Sequence, residues 1–169
     1  MHTRPPRYAE DFPNPPWLLA LAYVALAGGI LGLLYAEWHA PAAARSWDAL
    51  ARGAGLILLI GLLYGVLQFR GLTITVGPEE LVFGFGRFRK RVRLRDLRDC
   101  RVVTYRWQDY GGYGIRRGRD GTVAYNVPGD RGKAVRLTVG EGPKTRVYLL
   151  STQDPERLCA VLRELTGTG

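Results

Sequence analysis

The chain opens on two apolar runs and then changes rhythm. Residues 17–36 carry no charged side chain over 20 positions. As a helix, at about 1.5 Å per residue, such a run reaches roughly 30 Å, the thickness of a hydrocarbon core. Pro15 and Pro16 stand just before it and suit a helix start. Trp17 at one end, and Trp38 with His39 at the other, are side chains that favour a membrane–water interface. Residues 53–69 form a second apolar run. It is short for a span, and Ser46 lengthens it by capping a helix that starts near Trp47. Arg52 then lies roughly one turn inside, its head snorkelling outward. The link between the runs is short and contains Pro41, which forces the two helices to run antiparallel as neighbours. The pattern therefore predicts an amino-terminal segment at 1–16, transmembrane helices at 17–38 and 47–69, and an external loop at 39–46.

From Gly71 the apolar period drops from helical to two. Leu72, Ile74 and Val76 alternate with Thr73 and Thr75; Leu81, Phe83 and Phe85 alternate after a Gly77-Pro78-Glu79-Glu80 turn. Residues 87–94 set arginines against Phe88, Lys90, Val92 and Leu94, and further strands are predicted at 100–106, 122–127, 134–139 and 145–150. The chain closes with a helix. Asp154 is its N-cap and Pro155 its first residue, while Leu158, Val161, Leu162 and Leu165 form one apolar stripe and Gly167 stops it. The expected fold class is α+β. A transmembrane α-hairpin precedes an antiparallel barrel or sandwich of about seven strands over 70–169, capped by a carboxy-terminal helix.

Charge divides along the same line. The chain holds 24 Lys and Arg against 15 Asp and Glu, a net charge of +9, yet its first 69 residues hold four arginines and four acids. The whole surplus belongs to the strand-rich part, with Arg87, Arg89, Lys90, Arg91 and Arg93 soon after the second helix. The connecting loop and the start of that helix carry only Arg45 and Arg52. The positive-inside rule then places both termini in the cytoplasm and the helices in the cell membrane. A cleaved signal peptide is disfavoured: Ala42-Ala43-Ala44 resembles a cleavage site, but the apolar run is longer than a signal core.

The strand-then-helix pattern resembles the pleckstrin-homology-like (PH-like) domains of bacterial membrane proteins that follow a two-helix hairpin. Tyr110-Gly111-Gly112-Tyr113-Gly114-Ile115-Arg116 is similar to that family's Y-G-G-W-G-I-R motif. Ala124-Tyr125-Asn126-Val127 with Gly129, Arg131 and Gly132 is similar to its A-Y-N-V-x-G-x-R-G signature. The ending Ser151-Thr152-Gln153-Asp154-Pro155-Glu156-Arg157-Leu158 is similar to its strand-to-helix entry. Tyr113 and Val123 stand where tryptophan is usual. The resemblance implies a fold and a topology but no reaction. Phosphoinositide-binding members of the wider group carry basic residues at their first strand–strand turn. Here that turn is acidic, so the site is not carried over.

Two stretches are candidate binding surfaces. Arg87, Arg89, Arg91, Arg93 and Arg95 fall on alternate positions, so an unbroken strand turns them to one face as a ladder roughly 26 Å long. They suit anionic lipid headgroups or an acidic partner, or else form a solvated face partly paired with Asp96, Asp99, Glu79 or Glu80. The second stretch, 107–121, is rich in glycine; its Tyr110, Tyr113 and Arg116 can line a groove or pack over the sheet. In the helices, Gly28 and Gly32 on the first and Gly61 and Gly65 on the second are small residues four apart, expected to pack within the hairpin or against a second copy.

Catalytic chemistry finds little footing. The only histidines, His2 and His39, lie outside the strand-rich part, and Ser46 and Ser151 have no histidine partner in sequence. Cys100 and Cys159 match no C-x-x-C or zinc spacing and read as two small buried residues of a reducing compartment. The expectation is a non-enzyme without cofactor, metal or small-molecule substrate, with nucleic acid disfavoured. It would be a membrane-anchored module that contacts lipid headgroups or a protein. The alternative is an accessory or scaffold subunit of a larger membrane complex, packed through its glycine-rich helix faces.

Overall fold

The computed structural model describes residues 5–39 and 45–167. Among them are nine strands and three α-helices, in the order β1 (Tyr8–Pro13), α1 (Pro16–His39), α2 (Arg45–Gln68), β2 (Gly71–Val76), β3 (Glu80–Phe85), β4 (Phe88–Arg93), β5 (Leu97–Thr104), β6 (Gly114–Arg117), β7 (Val123–Asn126), β8 (Lys133–Val139), β9 (Arg146–Ser151) and α3 (Pro155–Thr166). The chain divides into two units. Residues up to Asn14 join Phe69 and everything after it, and Pro15–Gln68 stands as the other. The expected Pro41 and Ala42–Ala44 features of the link lie outside the described residues. Helix α2 begins at Arg45, ahead of the Ser46 cap expected from sequence.

In the helical unit, α1 and α2 are long and apolar enough to cross a membrane. Their large side chains stay outside: Leu31 is 65% exposed and Ile57 and Leu58 are each 73% exposed. The helices approach one another closely at two other glycines. A Cβ on Gly29 would lie 2.7 Å from the Leu59 side chain, and one on Gly55 would lie 3.2 Å from Leu33. A Cβ on Gly28, Gly32, Gly61 or Gly65 would meet no atom within 4 Å beyond its own stretch of helix. One residue is a rotation of about 100° on a helix, so Gly29 faces the neighbour while Gly28 is turned off the contact.

The other unit contains two sheets. The first has the order β1-β2-β3-β4, the second β5-β8-β9-β7-β6. All pairings are antiparallel except β7 with β9. The alternation read from sequence holds in the interior. Leu72, Ile74, Val76, Leu81 and Phe83 are fully buried, and they share one core with Val135, Leu137 and Leu150 of the second sheet and Leu158 and Leu162 of α3. Asp154 Oδ1 accepts from Arg157 N at 3.0 Å, as expected of an N-cap, and Gly167 ends the helix in a left-handed conformation.

Strand β1 is the main addition to the expected layout. It lies before the helices in sequence yet pairs with β2 over its whole length, Tyr8 opposite Val76 and Pro13 opposite Gly71. Glu10 secures it. Its carboxylate accepts from Tyr8 Oη and Thr152 Oγ1, both at 2.5 Å, and from Gln153 N at 2.6 Å. The amino-terminal strand is thereby fastened to the entry of α3. Burial first, and the Glu10 contact second, push the Tyr8 hydroxyl up to about 12.

The cysteines also depart from expectation. Cys100 on β5 and Cys159 on α3 form a disulfide, their Cα atoms 5.7 Å apart across 59 positions of sequence. That separation is in the ordinary range for a disulfide. A pairing made only by packing α3 onto β5 leaves no trace in local spacing.

Candidate interaction surface

The arginine ladder forms on the outer strand of the first sheet. Arg89, Arg91 and Arg93 of β4 stand opposite Gly84, Val82 and Glu80 of β3 and are exposed, with Val92 buried between them. Arg87 sits in the turn before the strand, and Arg95 in the single helical turn Leu94–Asp96. The close approach of β3 to the start of β4 depends on Gly84, whose φ is +149° and where a Cβ would stand 2.1 Å from the Phe88 carbonyl oxygen. Few acids answer the ladder. Arg95 reaches Asp96 at 4.0 Å with both exposed, and Asp99 is taken by Arg101 at 2.7 Å. Among the described residues no carboxylate lies within ion-pair range of Arg89, Arg91 or Arg93.

Phe88 corrects the expected alternation. Placed inward by the sequence pattern, it is 52% exposed, because β4 has only begun there and the turn lifts it off the core. Its ring stacks on Phe69 at 5.7 Å between centroids, and Phe69 also meets Phe85 at 5.4 Å. Asn14 Nδ2 donates to the Phe69 carbonyl. Asn14 and Phe69 are the residues at which the chain leaves and re-enters this unit. Arg87, Phe88 and Arg89 therefore stand at the end of the sheet that carries both covalent links to the helices.

The glycine-rich stretch reaches the same end. A Cβ on Gly114 would lie 3.8 Å from the Phe69 ring. A single turn, Trp107–Tyr110, precedes it, and Trp107, 43% exposed, stacks on Tyr113 at 5.2 Å. Arg116 Nε donates to the Tyr113 carbonyl at 3.0 Å, and Asn126 Nδ2 to the Gly112 carbonyl at 3.2 Å. Burial, with the Asp130 charge second, raises the Tyr113 hydroxyl pKa.

Tyr110 belongs elsewhere. It packs beside Tyr105 at 5.8 Å and against the small cluster of Ala124, Ala134 and Leu149, covering Gly118. Its pKa is raised by burial and then by Asp120. It is a packing residue of the hairpin, as one of the two readings of this stretch expected. The structure thus splits the eight candidates. Arg87 and Arg89 flank Phe88, which stacks on Phe69, and Tyr113 and Arg116 lie beside Gly114 at the same end; Arg91, Arg93 and Arg95 continue along the sheet edge, and Tyr110 packs half-buried over the second sheet.

No protein-family model, no curated protein and no solved structure matches this chain.

Ser151 belongs to a neighbouring polar network. Ser151 is fully buried, donates to Asp130 Oδ2 and accepts from Val127 N at 3.2 Å. Tyr105 Oη donates to the same carboxylate, and Gly132 N donates to its other oxygen at 2.9 Å. The network fixes the turn that holds Arg131 at a φ of +55°. It joins β5, the 127–132 turn and β9 in one set of hydrogen bonds and leaves the serine no route to solvent.

Proposed function

We propose that this chain is a two-pass protein of the cell membrane whose sheet unit, PH-like in layout, is a non-catalytic module for anionic lipid headgroups. The observation that carries it is the pairing of β1 with β2. One strand precedes the two apolar helices and the other follows them, yet they pair residue for residue. The chain must come back to the side it left, which two crossings satisfy and one does not. The same pairing speaks against cleavage near Ala42–Ala44, which would strip β1 and Glu10 from the sheet.

The end of the sheet that carries both links also displays Arg87, Phe88, Arg89, Trp107 and Arg116. Aromatic rings beside arginines suit the headgroup layer, each cation there being worth roughly 1 kcal/mol. Tethering makes such weak contacts sufficient, because the helices hold the module at high effective concentration. The two sheets closing on one core with a terminal helix support the PH-like layout, and the +9 charge supports the inner side of the membrane. The cysteines pull the other way, since disulfides persist mainly in oxidising compartments. On the inner side Cys100 and Cys159 would be held as an adjacent pair of thiols.

The test uses the full chain in lipid nanodiscs. Amide exchange at 86–89 and 107–114 should slow with anionic lipid and not with neutral lipid, and Arg87→Glu with Arg89→Glu should abolish the difference. Equal exchange in both lipids would overturn lipid contact and favour a protein partner. The alternative, a scaffold subunit or homodimer, draws on Gly28, Gly32, Gly61 and Gly65, which the hairpin contact leaves open. A monomer after gentle extraction would remove it.

A further inference from the structure

We propose that a cleft between β4 and the β8–β9 turn is a second anion site, built for a ligand carrying two or more phosphate groups. The cleft has a volume of about 630 Å³, within the range of small-molecule sites. Six cationic residues line it: Lys90, Arg91 and Arg93 from β4, Arg98 from β5, and Lys144 and Arg146 from the turn and β9. Two acids share the lining, Asp96 and Glu141. Glu141 is committed to Arg98 at 2.5 Å, and Asp96 lies 4.0 Å from Arg95. Among the described residues the other five cations have no carboxylate within ion-pair range.

The like charges are brought together by the fold. Lys90–Arg93 and Lys144–Arg146 are some fifty positions apart in sequence and belong to different sheets. Their approach is set by hydrogen bonds that do not involve the charges. Gly140 N donates to the Asp96 carbonyl at 2.8 Å, which fastens the β8–β9 turn beside the end of β4. Gly140 has a φ of +86°, and a Cβ there would stand 3.0 Å from the Lys144 carbonyl oxygen, so the turn is held in one shape. A concave surface with this excess of one sign concentrates counter-charge more strongly than a flat one. Guanidinium groups are suited to phosphate because their planar donors match its oxygens in pairs. A single carboxylate would leave most of the five cations unanswered, whereas linked phosphates carry several charges in one small volume.

This site lies away from the Phe69 cluster and stands independently of lipid contact there. The phosphates could belong to a soluble compound or to a lipid headgroup, and the experiment separates the two. Full-length protein in neutral-lipid nanodiscs is titrated with tripolyphosphate by calorimetry. Saturable binding is expected, at least tenfold weaker in Arg91→Gln/Arg146→Gln and unchanged in the charge-matched control Arg119→Gln/Arg157→Gln. Lys144→Gln alone, on the exposed turn, should weaken it several-fold and serves if the double variant misfolds. Competition by vesicles containing cardiolipin, whose headgroup carries two phosphates, marks a headgroup ligand, and its absence marks a soluble one; either supports the site. Non-saturable binding, or equal loss in the cleft and control variants, would overturn it.

Discussion

The two units use the same apolar residue types in opposite ways. In the sheet unit Leu, Ile and Phe are turned inward until Leu72, Ile74 and Phe83 have no exposed surface. In the helical unit many Leu and Ile side chains of α1 and α2 are exposed, Leu31 by 65% and Ile57 and Leu58 by 73% each. Burying apolar area is worth about 25 cal/mol per Å² in water. A helix pair that leaves this area open fits the bilayer proposed above, a solvent in which hydrocarbon contact costs nothing and backbone bonds must be satisfied internally. The pair then holds together by close approach, as Gly29 against Leu59 and Gly55 against Leu33 illustrate.

The sharpest way to break this contrast is to make the same kind of change on each side. Phe83→Ala should destabilise the sheet unit by about 3–5 kcal/mol, since it opens a cavity beside Tyr125 and Tyr148. Ile57→Ala should change helix stability in nanodiscs by less than about 1 kcal/mol, because lipid fills the space it leaves. Denaturant titration of full-length protein, followed by exchange in each unit, measures both. Equal losses would mean that the exposed helix face is covered by protein rather than lipid.

The Cys100–Cys159 link tests the sheet unit and its compartment together. Closing a loop of 59 positions restricts the unfolded chain by about 4 kcal/mol in the entropic model. Reduction of oxidised protein should lower stability by up to that amount, and Cys159→Ser should remove the sensitivity to reductant. Alkylation in intact cells followed by mass measurement reads the native state. Two free thiols agree with the inner side, and a protected bond would move the unit to the other side.

What the sequence disclosed follows from range. Period-two runs such as Leu72-Thr73-Ile74 and the capped helix at Asp154 are local patterns, and they are legible residue by residue. Strand β1 was not, because Tyr8–Pro13 is short, carries Glu10 and Asp11, and becomes a strand only by pairing across a gap of more than fifty residues. The disulfide and the six-cation cleft are hidden for the same reason. The ladder was readable as alternation, but its division between Arg87 and Arg89 at one end and Arg91 and Arg93 beside the cleft depends on where the second sheet lies. Phe88 and Trp107 could have been noticed as aromatics next to glycine turns, where inward alternation has not yet begun.

Glu10 offers a smaller but more selective break. It ties the segment before the helices to the turn before α3 through two hydrogen bonds, from Thr152 and Gln153, while a third, from Tyr8, lies within β1. Hydrogen bonds to a charged group are worth about 1.5–3 kcal/mol. Glu10→Gln should cost about that much in total and should raise amide exchange in β1 and at Gln153, leaving β8 and β9 unchanged. Exchange that stays slow in β1 would mean that the backbone pairing with β2 alone fixes the strand, and the return of the chain to one sheet would rest on that ladder only.

The smallest expected effect is on pH dependence, and its sign is fixed by the same corner. Tyr8 titrates near 10 in an unfolded chain and at about 12 in the folded one, raised first by burial and then by its contact with Glu10. The folded state holds the phenol proton more tightly, so stability from this group is complete below pH 10 and is lost as pH rises toward 12. Tyr105, raised by burial and by Asp130, adds in the same direction. Neither group contributes to any pH dependence between 5 and 9. Thermal unfolding of the detergent-solubilised protein should therefore fall between pH 10 and 12. Tyr8→Phe should flatten that fall while lowering the plateau through loss of the Glu10 hydrogen bond, and the helical unit, followed separately, should show no matching slope. An unchanged slope in Tyr8→Phe would show that the folded state does not hold the Tyr8 proton, and would loosen the packing of Tyr8 at the corner where β1 meets the entry of α3.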